Sequence, residues 1–303
     1  MFRRDFLKTL CAAGGAAALL SDSGGSGLAD ETASNENIPF DEELVVLFSD
    51  IHVRPEFRTV DAFASRIEAL LAMNPRPRHL LIYGDFSQFY GKKEDYLLLR
   101  EMMRPIEEAG IQWDLAFGNH DRRAAFFEVF PERVQAAPNV PGKYVSIVET
   151  PRADFILLDT LVEGEGGGAV DEQQRAWLEK TLAGYSKPVF VGAHHSVKEI
   201  GLAQMLADSP AVAGYIFGHH HQWFHTVVDG LPRLTLPSVG YWGDIGFTVL
   251  RFVGEEAIFK LRMIDHFADP GKDADIPQQR EPEWQKIIRE KTGDAFVVPL
   301  HRG

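Results

Sequence analysis

Leu44-Val45-Val46-Leu47-Phe48-Ser49-Asp50-Ile51-His52 reads as a buried strand that ends in two metal-ligand residue types. A continuous apolar run of this kind suits a strand covered on both faces. Asp50 and His52 are two apart, so extended backbone would project both to one side. Four more apolar runs end in the same manner, at Gly84-Asp85, Gly118-Asn119-His120-Asp121, His194-His195 and Gly218-His219-His220-His221. His219 and His221 repeat the two-residue spacing. The glycines before Asp85, Asn119 and His219 permit sharp turns and close backbone approach. In an open α/β sheet, ligands gather beyond the carboxyl ends of the strands, so these exits at one edge would form a single site. Each fragment alone is weak: Asp-x-His is commonly a surface loop, Gly-Asp a turn, adjacent histidines a solvated pair. The ordered set, each member following an apolar strand, carries the inference.

Between these runs the pattern alternates. Val60, Phe63, Ala64, Ile67, Leu70 and Leu71 recur at helical spacing, and Pro75 and Pro77 close that helix. His79–Tyr83 reads as a strand, Glu94–Ala109 as a helix stopped by Gly110, and Gln112–Phe117 as a third strand. This β-α-β-α-β order implies parallel strands covered by helices. Lys143–Val148, Phe155–Asp159, Pro188–Ala193 and Val212–Phe217 read as further strands, with a helix running from an Asp171 cap to Gly184. Thr226–Val228, Arg233–Leu236, Phe247–Phe252 and Ala257–Met263 read as a hairpin-like series. Residues 43–265 are thus expected to be the domain that carries these exits, preceded by a linker over 30–42. Residues 266–303 read as a Pro- and charge-rich tail with one short helix near Glu281–Glu290. Gly164–Gly168 reads as a flexible loop.

The chain opens Met1-Phe2-Arg3-Arg4-Asp5-Phe6-Leu7-Lys8. A twin arginine followed by x-Phe-Leu-Lys resembles the bacterial twin-arginine export signal. An Ala/Gly-rich stretch follows, then a polar segment ending Gly27-Leu28-Ala29, whose small residues suit cleavage after Ala29. Residues 1–29 are therefore expected to be a signal peptide, with the export machinery as a partner and a periplasmic or extracellular destination. The other reading is a short amphipathic N-terminal helix. Acidic residues outnumber basic ones, 44 to 31, for a net charge of −13, which argues against a nucleic-acid or anionic-membrane binder. No apolar run reaches the ~18–20 residues of a bilayer span. A single cysteine excludes a disulfide framework and a thiolate zinc site.

The ordered exits, from Asp50-Ile51-His52 to Gly218-His219-His220-His221, resemble the calcineurin-like metallophosphoesterase family. The resemblance covers about Leu44 to Phe252. Leu158-Asp159-Thr160, the stretch from Asp171-Glu172-Gln173-Gln174 to Trp177-Leu178, and Leu236-Pro237-Ser238 are most similar to its cyclic nucleotide phosphodiesterase-like branch. The resemblance implies an α/β fold: a central β-sandwich of mixed sheets flanked by helices (αββα), with the site at the C-terminal ends of the strands. It also implies two metal ions. Asp50, His52, Asp85 and His221 would hold one; Asp85, Asn119, His194 and His219 would hold the other, with Asp85 bridging. Imidazole and carboxylate donors without thiolate suit Mn, Fe or Zn, and the sequence leaves that choice open. By resemblance a metal-bridging hydroxide attacks phosphorus in line with the leaving oxygen.

His120, by the same resemblance, faces the phosphate, either donating to a phosphate oxygen or protonating the leaving group. Asp121 would orient that imidazole, or cap the helix that starts at Arg122, or both. His195 and His220 neighbour ligands, and alternation points them away from the metals, toward ligand-bracing or substrate contacts. Arg54 and Arg122 are candidate phosphate clamps, or exposed surface residues. Two departures stand out. Gln88 occupies a position where the family often has Asp or Asn, and Ser196 follows His194-His195 where the family has Pro. The short interval between His194 and His219 leaves little room for a capping insert. The expected activity is that of an exported phosphoric ester hydrolase acting on a small phosphoester, foremost a phosphodiesterase. The alternatives are a phosphomonoesterase or nucleotide pyrophosphatase on the same site, or a non-catalytic metal or phospho-ligand binding protein.

Overall fold

A computed structural model describes residues 38–135, 138–267 and 282–302, so the expected signal segment lies outside the described residues. β1 (Phe40–Phe48), α1 (Thr59–Leu71), β2 (Arg76–Tyr83), α2 (Lys93–Glu108) and β3 (Gln112–Ala116) follow the expected alternation. α3 (Arg123–Val129) follows the third exit. β4 (Ser146–Val148), β5 (Asp154–Leu157), α4 (Glu172–Ala183), β6 (Val189–Ala193), α5 (Ala203–Asp208) and β7 (Val212–Phe217) come next. The chain ends with β8 (Phe224–Val228), β9 (Leu231–Thr235), β10 (Gly243–Val253), β11 (Glu256–Phe267), α6 (Pro282–Lys291) and β12 (Ala295–Pro299).

These strands form two mixed sheets. One has the order β12-β11-β10-β1-β2-β3, the other β4-β5-β6-β7-β9-β8. β1, β2 and β3 are parallel, as are β5, β6, β7 and β9. Val45 and Leu47 of β1, Leu81 and Tyr83 of β2, Phe155, Phe190 and Ile216 share one buried cluster, so apolar side chains from both sheets meet in a common layer. On the other face of β1, Phe48 packs edge-on against Phe63 of α1, ring centroids 6.2 Å apart. β1 is therefore buried on both sides, which is why its sequence is a continuous apolar run rather than an alternating one. Leu178 and Leu182 of α4 cover the outer face of the second sheet with Ile156, Leu158 and Val191. Each large side chain removed from water in these layers contributes about 1.5–3 kcal/mol.

Three features depart from the sequence reading. The expected hairpin-like series is divided: β8 and β9 pair within the second sheet, whereas β10 and β11 pair within the first. The first strand starts at Phe40, inside the expected linker. The expected tail is also part of the fold, because β12 pairs with β11 and forms the edge of the first sheet. Among the described residues no helix is long and apolar enough to cross a membrane.

Candidate metal centre

The five polar exits converge, but from two sheets. β1, β2 and β3 deliver Asp50, Asp85 and Asn119 from the first sheet; β6 and β7 deliver His194 and His219 from the second. The expectation of one sheet edge is corrected accordingly. Bonds across the gap lock the two edges together. The Tyr83 carbonyl of β2 accepts from His194 Nδ1 (2.8 Å), and the His219 amide donates to Asp50 Oδ2 (3.1 Å). Ser49 Oγ lies 2.5 Å from Asp50 Oδ2 and 2.9 Å from the Tyr83 carbonyl.

Three of the five exits leave the extended conformation. Asp50, His52, Asp85, His219 and His221 all have left-handed backbones, with φ between 52° and 67°. Such a conformation costs an L-residue roughly 1–2 kcal/mol, and residues held there cluster at functional sites. Asp50 and His52 thus reach a common side through a turn, not through strand alternation. The turns also need their glycines. A Cβ on Gly118 would sit 2.2 Å from Asp85 Oδ1, and one on Gly218 would sit 1.9 Å from Ser49 Oγ.

Two clusters of donor atoms result. Ligand-type atoms of Asp50, His52, Asp85 and His221, all buried, lie within 4.8 Å of one another, as do those of His194, His195 and His219. His52 Nε2 faces His221 Nε2 at 3.3 Å, and His194 Nε2 faces His219 Nδ1 at 3.2 Å. Asn119 Oδ1 is 3.1 Å from His194 Nε2. Asp85 lies between the clusters: Oδ2 is 3.6 Å from His52 Nε2 and 3.2 Å from His194 Nε2, while Oδ1 accepts the His120 amide at 2.9 Å. Asp50 Oδ1 is buried with no hydrogen-bond donor, yet it is 3.0 Å from His221 Nε2. Buried carboxylate oxygens and imidazole nitrogens aimed at each other fit bound cations of the Mn, Fe or Zn type.

The surroundings prepare these atoms. His52 Nδ1 donates to the Gln88 carbonyl (3.3 Å), as His194 Nδ1 does to Tyr83, so Nε2 of each ring is the nitrogen turned to the site. Burial pushes His52 down to about 3 and His219 to about 4, which keeps both neutral. Burial acts the same way on His194, but the adjacent Asp85 outweighs it and raises the imidazole to about 10. A cation bound there would have to displace that proton. Burial also opposes charge on Asp50, and His221 overrides it, holding the carboxyl at about 2.

A model of the calcineurin-like phosphoesterase family matches residues 44–223, the segment that carries all these exits. The chain belongs to the calcineurin-like phosphoesterase family. This metallophosphoesterase is 27% identical over 218 residues to a probable glycerophosphodiester phosphodiesterase of Arcobacter nitrofigilis, covering 64% of this chain and 78% of that one. It is 26% identical over 252 residues to a probable cyclic nucleotide phosphodiesterase of Rhodopseudomonas palustris, covering 78% and 84%. A dimetal phosphatase from Danio rerio shares the fold, with a TM-score of 0.59 at 14% identity over 73% of this chain and 96% of that one.

The other singled-out residues of this phosphoesterase fall into place around the clusters. His120 is partly exposed beside them, its ring 5.1 Å from His52, with Nδ1 donating to the Phe89 carbonyl at 3.2 Å. Asp121 does not orient that ring, and it does not cap α3, whose N-cap is Arg122 with no side-chain bond. Its buried carboxylate instead accepts from the amides of Phe86 (3.1 Å), Ser87 (3.2 Å) and Gly118 (2.9 Å) and from Tyr96 Oη (3.1 Å). Asp121 thus staples the second and third exits together. Burial, then the charge of Asp85, raises its carboxyl to about 7.

His195 is also placed differently from expectation. β6 ends at Ala193, so strand alternation no longer applies, and His195 joins His194 and His219 with ring centroids 5.0 Å from each. Its Nδ1 meets Thr160 Oγ1 at 2.8 Å, and its Nε2 is buried without a partner. The Gly164–Gly168 loop covers it, since a Cβ on Gly168 would sit 2.2 Å from His195 Nδ1. His220 is exposed and lies edge-on to Phe217. Arg54 is exposed with its guanidinium over Phe57. Arg122 braces its own turn, donating to the Asp121 carbonyl at 2.6 Å. Gln88 is fully buried with both amide atoms unpartnered.

Sequence reasoning missed Ser49, Tyr241 and Trp242. Tyr241 packs 4.4 Å from the His52 ring and Trp242 4.6 Å from the His221 ring. The signal for Tyr241 and Trp242 was their position, three and four residues after Ser238 of the Leu236-Pro237-Ser238 stretch. Ser238 Oγ itself donates to the Asp50 carbonyl at 2.9 Å.

Proposed function

We propose that this chain is an exported, binuclear phosphodiesterase. The observation that supports it most is the position of Asp85 Oδ2 between the two donor clusters, 3.6 Å from His52 Nε2 and 3.2 Å from His194 Nε2. Asp50, His52, Asp85 and His221 would hold one cation, and Asp85, Asn119, His194 and His219 the other. Two cations so placed would supply a water of lowered pKa as nucleophile and neutralise charge on the phosphoryl oxygens.

The chain's own groups complete the site. The Gln88 and Tyr83 carbonyls fix which imidazole nitrogen faces the cations. His120, partly exposed, presents Nε2 to substrate while Nδ1 is anchored on the Phe89 carbonyl. In its protonated form it donates from Nε2 to the leaving oxygen or to a phosphoryl oxygen. Before β7, the interval between His194 and His219 carries only the short helix α5, so the site stays open to substrates of varied size. The relatives named for diester cleavage support the preference for diesters. Arg3-Arg4 and the Gly27-Leu28-Ala29 segment support export to the periplasm.

Metal-free protein reconstituted separately with Mn, Fe and Zn, then assayed on a cyclic nucleotide, a glycerophosphodiester, a nucleotide pyrophosphate and a phosphomonoester, tests the reading. Diesters are expected to give the higher kcat/KM. A monoester preference would replace diesterase by phosphatase, and tight phosphoester binding with no turnover would make the chain a binding protein.

A further inference from the structure

Asp244, at the start of β10, is fully buried and lies outside the metal-ligand set. Its backbone brackets two parts of that set. Its amide donates to the His221 carbonyl at 2.8 Å, and its carbonyl accepts the Ser238 amide at 2.9 Å. Ser238 in turn holds the Asp50 carbonyl. The Asp244 carboxylate closes the same turn, Oδ2 accepting the Trp223 amide at 2.7 Å. His221 is one of the left-handed residues, and the approach is tight: a Cβ on Gly243 would sit 2.0 Å from the His221 carbonyl oxygen.

Two side chains from the C-terminal region secure this carboxylate. Lys291 Nζ, at the end of α6, donates to Oδ2 at 2.6 Å, and His266 Nδ1, on β11, lies 2.9 Å from Oδ1. Burial opposes the charge of Asp244, and His266 and Lys291 overcome it, keeping its carboxyl below the usual carboxylate range. Ile287 and Ile288 of α6 pack against the layer between the sheets, which sets where Lys291 stands. A charged donor on a buried carboxylate makes a strong bond, and its removal leaves that carboxylate underpaired.

We propose that Lys291 is a positioning residue: through Asp244 it holds the turn bearing His221, together with Asp50, at ligand separation, so that docking of the C-terminal helix sets metal affinity. The proposal rests on the metal-binding reading above. Loss of a group that orients a ligand typically weakens metal binding by about 10–100-fold.

Calorimetric titration of the metal-free protein with Mn and with Zn tests it. Lys291→Met, which keeps the stem and removes the charge, is expected to weaken at least one of the two binding events by about tenfold or more. Lys291→Arg is expected to restore affinity to near wild type. Lys286→Met, on the same helix but paired among the described residues with Glu290 at the surface, is expected to change nothing. At saturating metal the Lys291→Met turnover is expected to recover, because no group touching substrate has been removed. Should Lys291→Met fail to fold, Lys291→Gln, which keeps a donor toward Asp244, is expected to show the same weakening at smaller amplitude. Wild-type affinity in a folded Lys291 variant lacking the charge overturns the clamp, as does a matching loss in Lys286→Met. A wild-type protein that takes up neither metal overturns the metal reading itself, and the clamp with it.

Discussion

His120 has its anchor on the Phe89 carbonyl and its Nε2 3.9 Å from Asp85 Oδ2, outside both donor clusters, so its part is separable from metal binding. His120→Ala is expected to leave metal content and melting temperature nearly unchanged. Proton donation by a positioned acid is typically worth about 10²–10⁴-fold in rate. A loss of that order is expected for a diester with an alkyl leaving group, and a much smaller one for p-nitrophenolate, which leaves without a proton. Parallel kinetics on the two substrates decide. Equal losses would assign His120 to stabilising the phosphoryl oxygens, and a lost metal would make it a ligand. The contrast with Asp121 shows where residue-level reading stops. His120 was legible as a site residue because it adjoins Asn119 at a strand exit. The role of Asp121 was not, because its donors, Phe86, Ser87, Gly118 and Tyr96, come from two other segments and from its own turn, and no spacing in the sequence announces that meeting.

The elements that matter most are the turns, not the strands. Gly118 lies against the Asp85 carboxylate so closely that any side chain must displace it. Gly118→Ala is expected to cost about 1–3 kcal/mol of stability, as overpacking of a tight site does, and to weaken metal binding more than that loss alone explains. Thermal unfolding with and without added metal separates the two effects; a variant with normal metal response would show that the turn has slack. The strands feeding these turns were legible because each is an apolar run closed by ligand-type residues. Their left-handed exits were not, since φ at Asp50 or His219 is imposed by the packing of one exit on another. α5 spans only Ala203–Asp208, too short for helical periodicity to show. β12 was hidden by its position after a Pro- and charge-rich segment, and only pairing with β11 reveals Ala295–Pro299 as a strand.

On the scale of the whole molecule, two sheets share a buried layer and each supplies part of one centre, so the site exists only when both edges are assembled. The sequence displayed five exits in order but had no means of showing that they belong to different sheets. Export by the twin-arginine route is proposed from Arg3-Arg4 alone. Replacing both arginines by lysine is expected to leave the precursor in the cytoplasm, seen by fractionation; unchanged export would assign another pathway.

In the proposed function one carboxylate, that of Asp85, serves two cations. Elemental analysis of the wild type and Asp85→Asn, each reconstituted with Mn or Zn and desalted, tests it most directly. Two metal ions per chain are expected in the wild type, with substantial loss from both sites and no turnover in the variant. Two retained ions and a near-normal rate in Asp85→Asn would show that Asp85 bridges nothing.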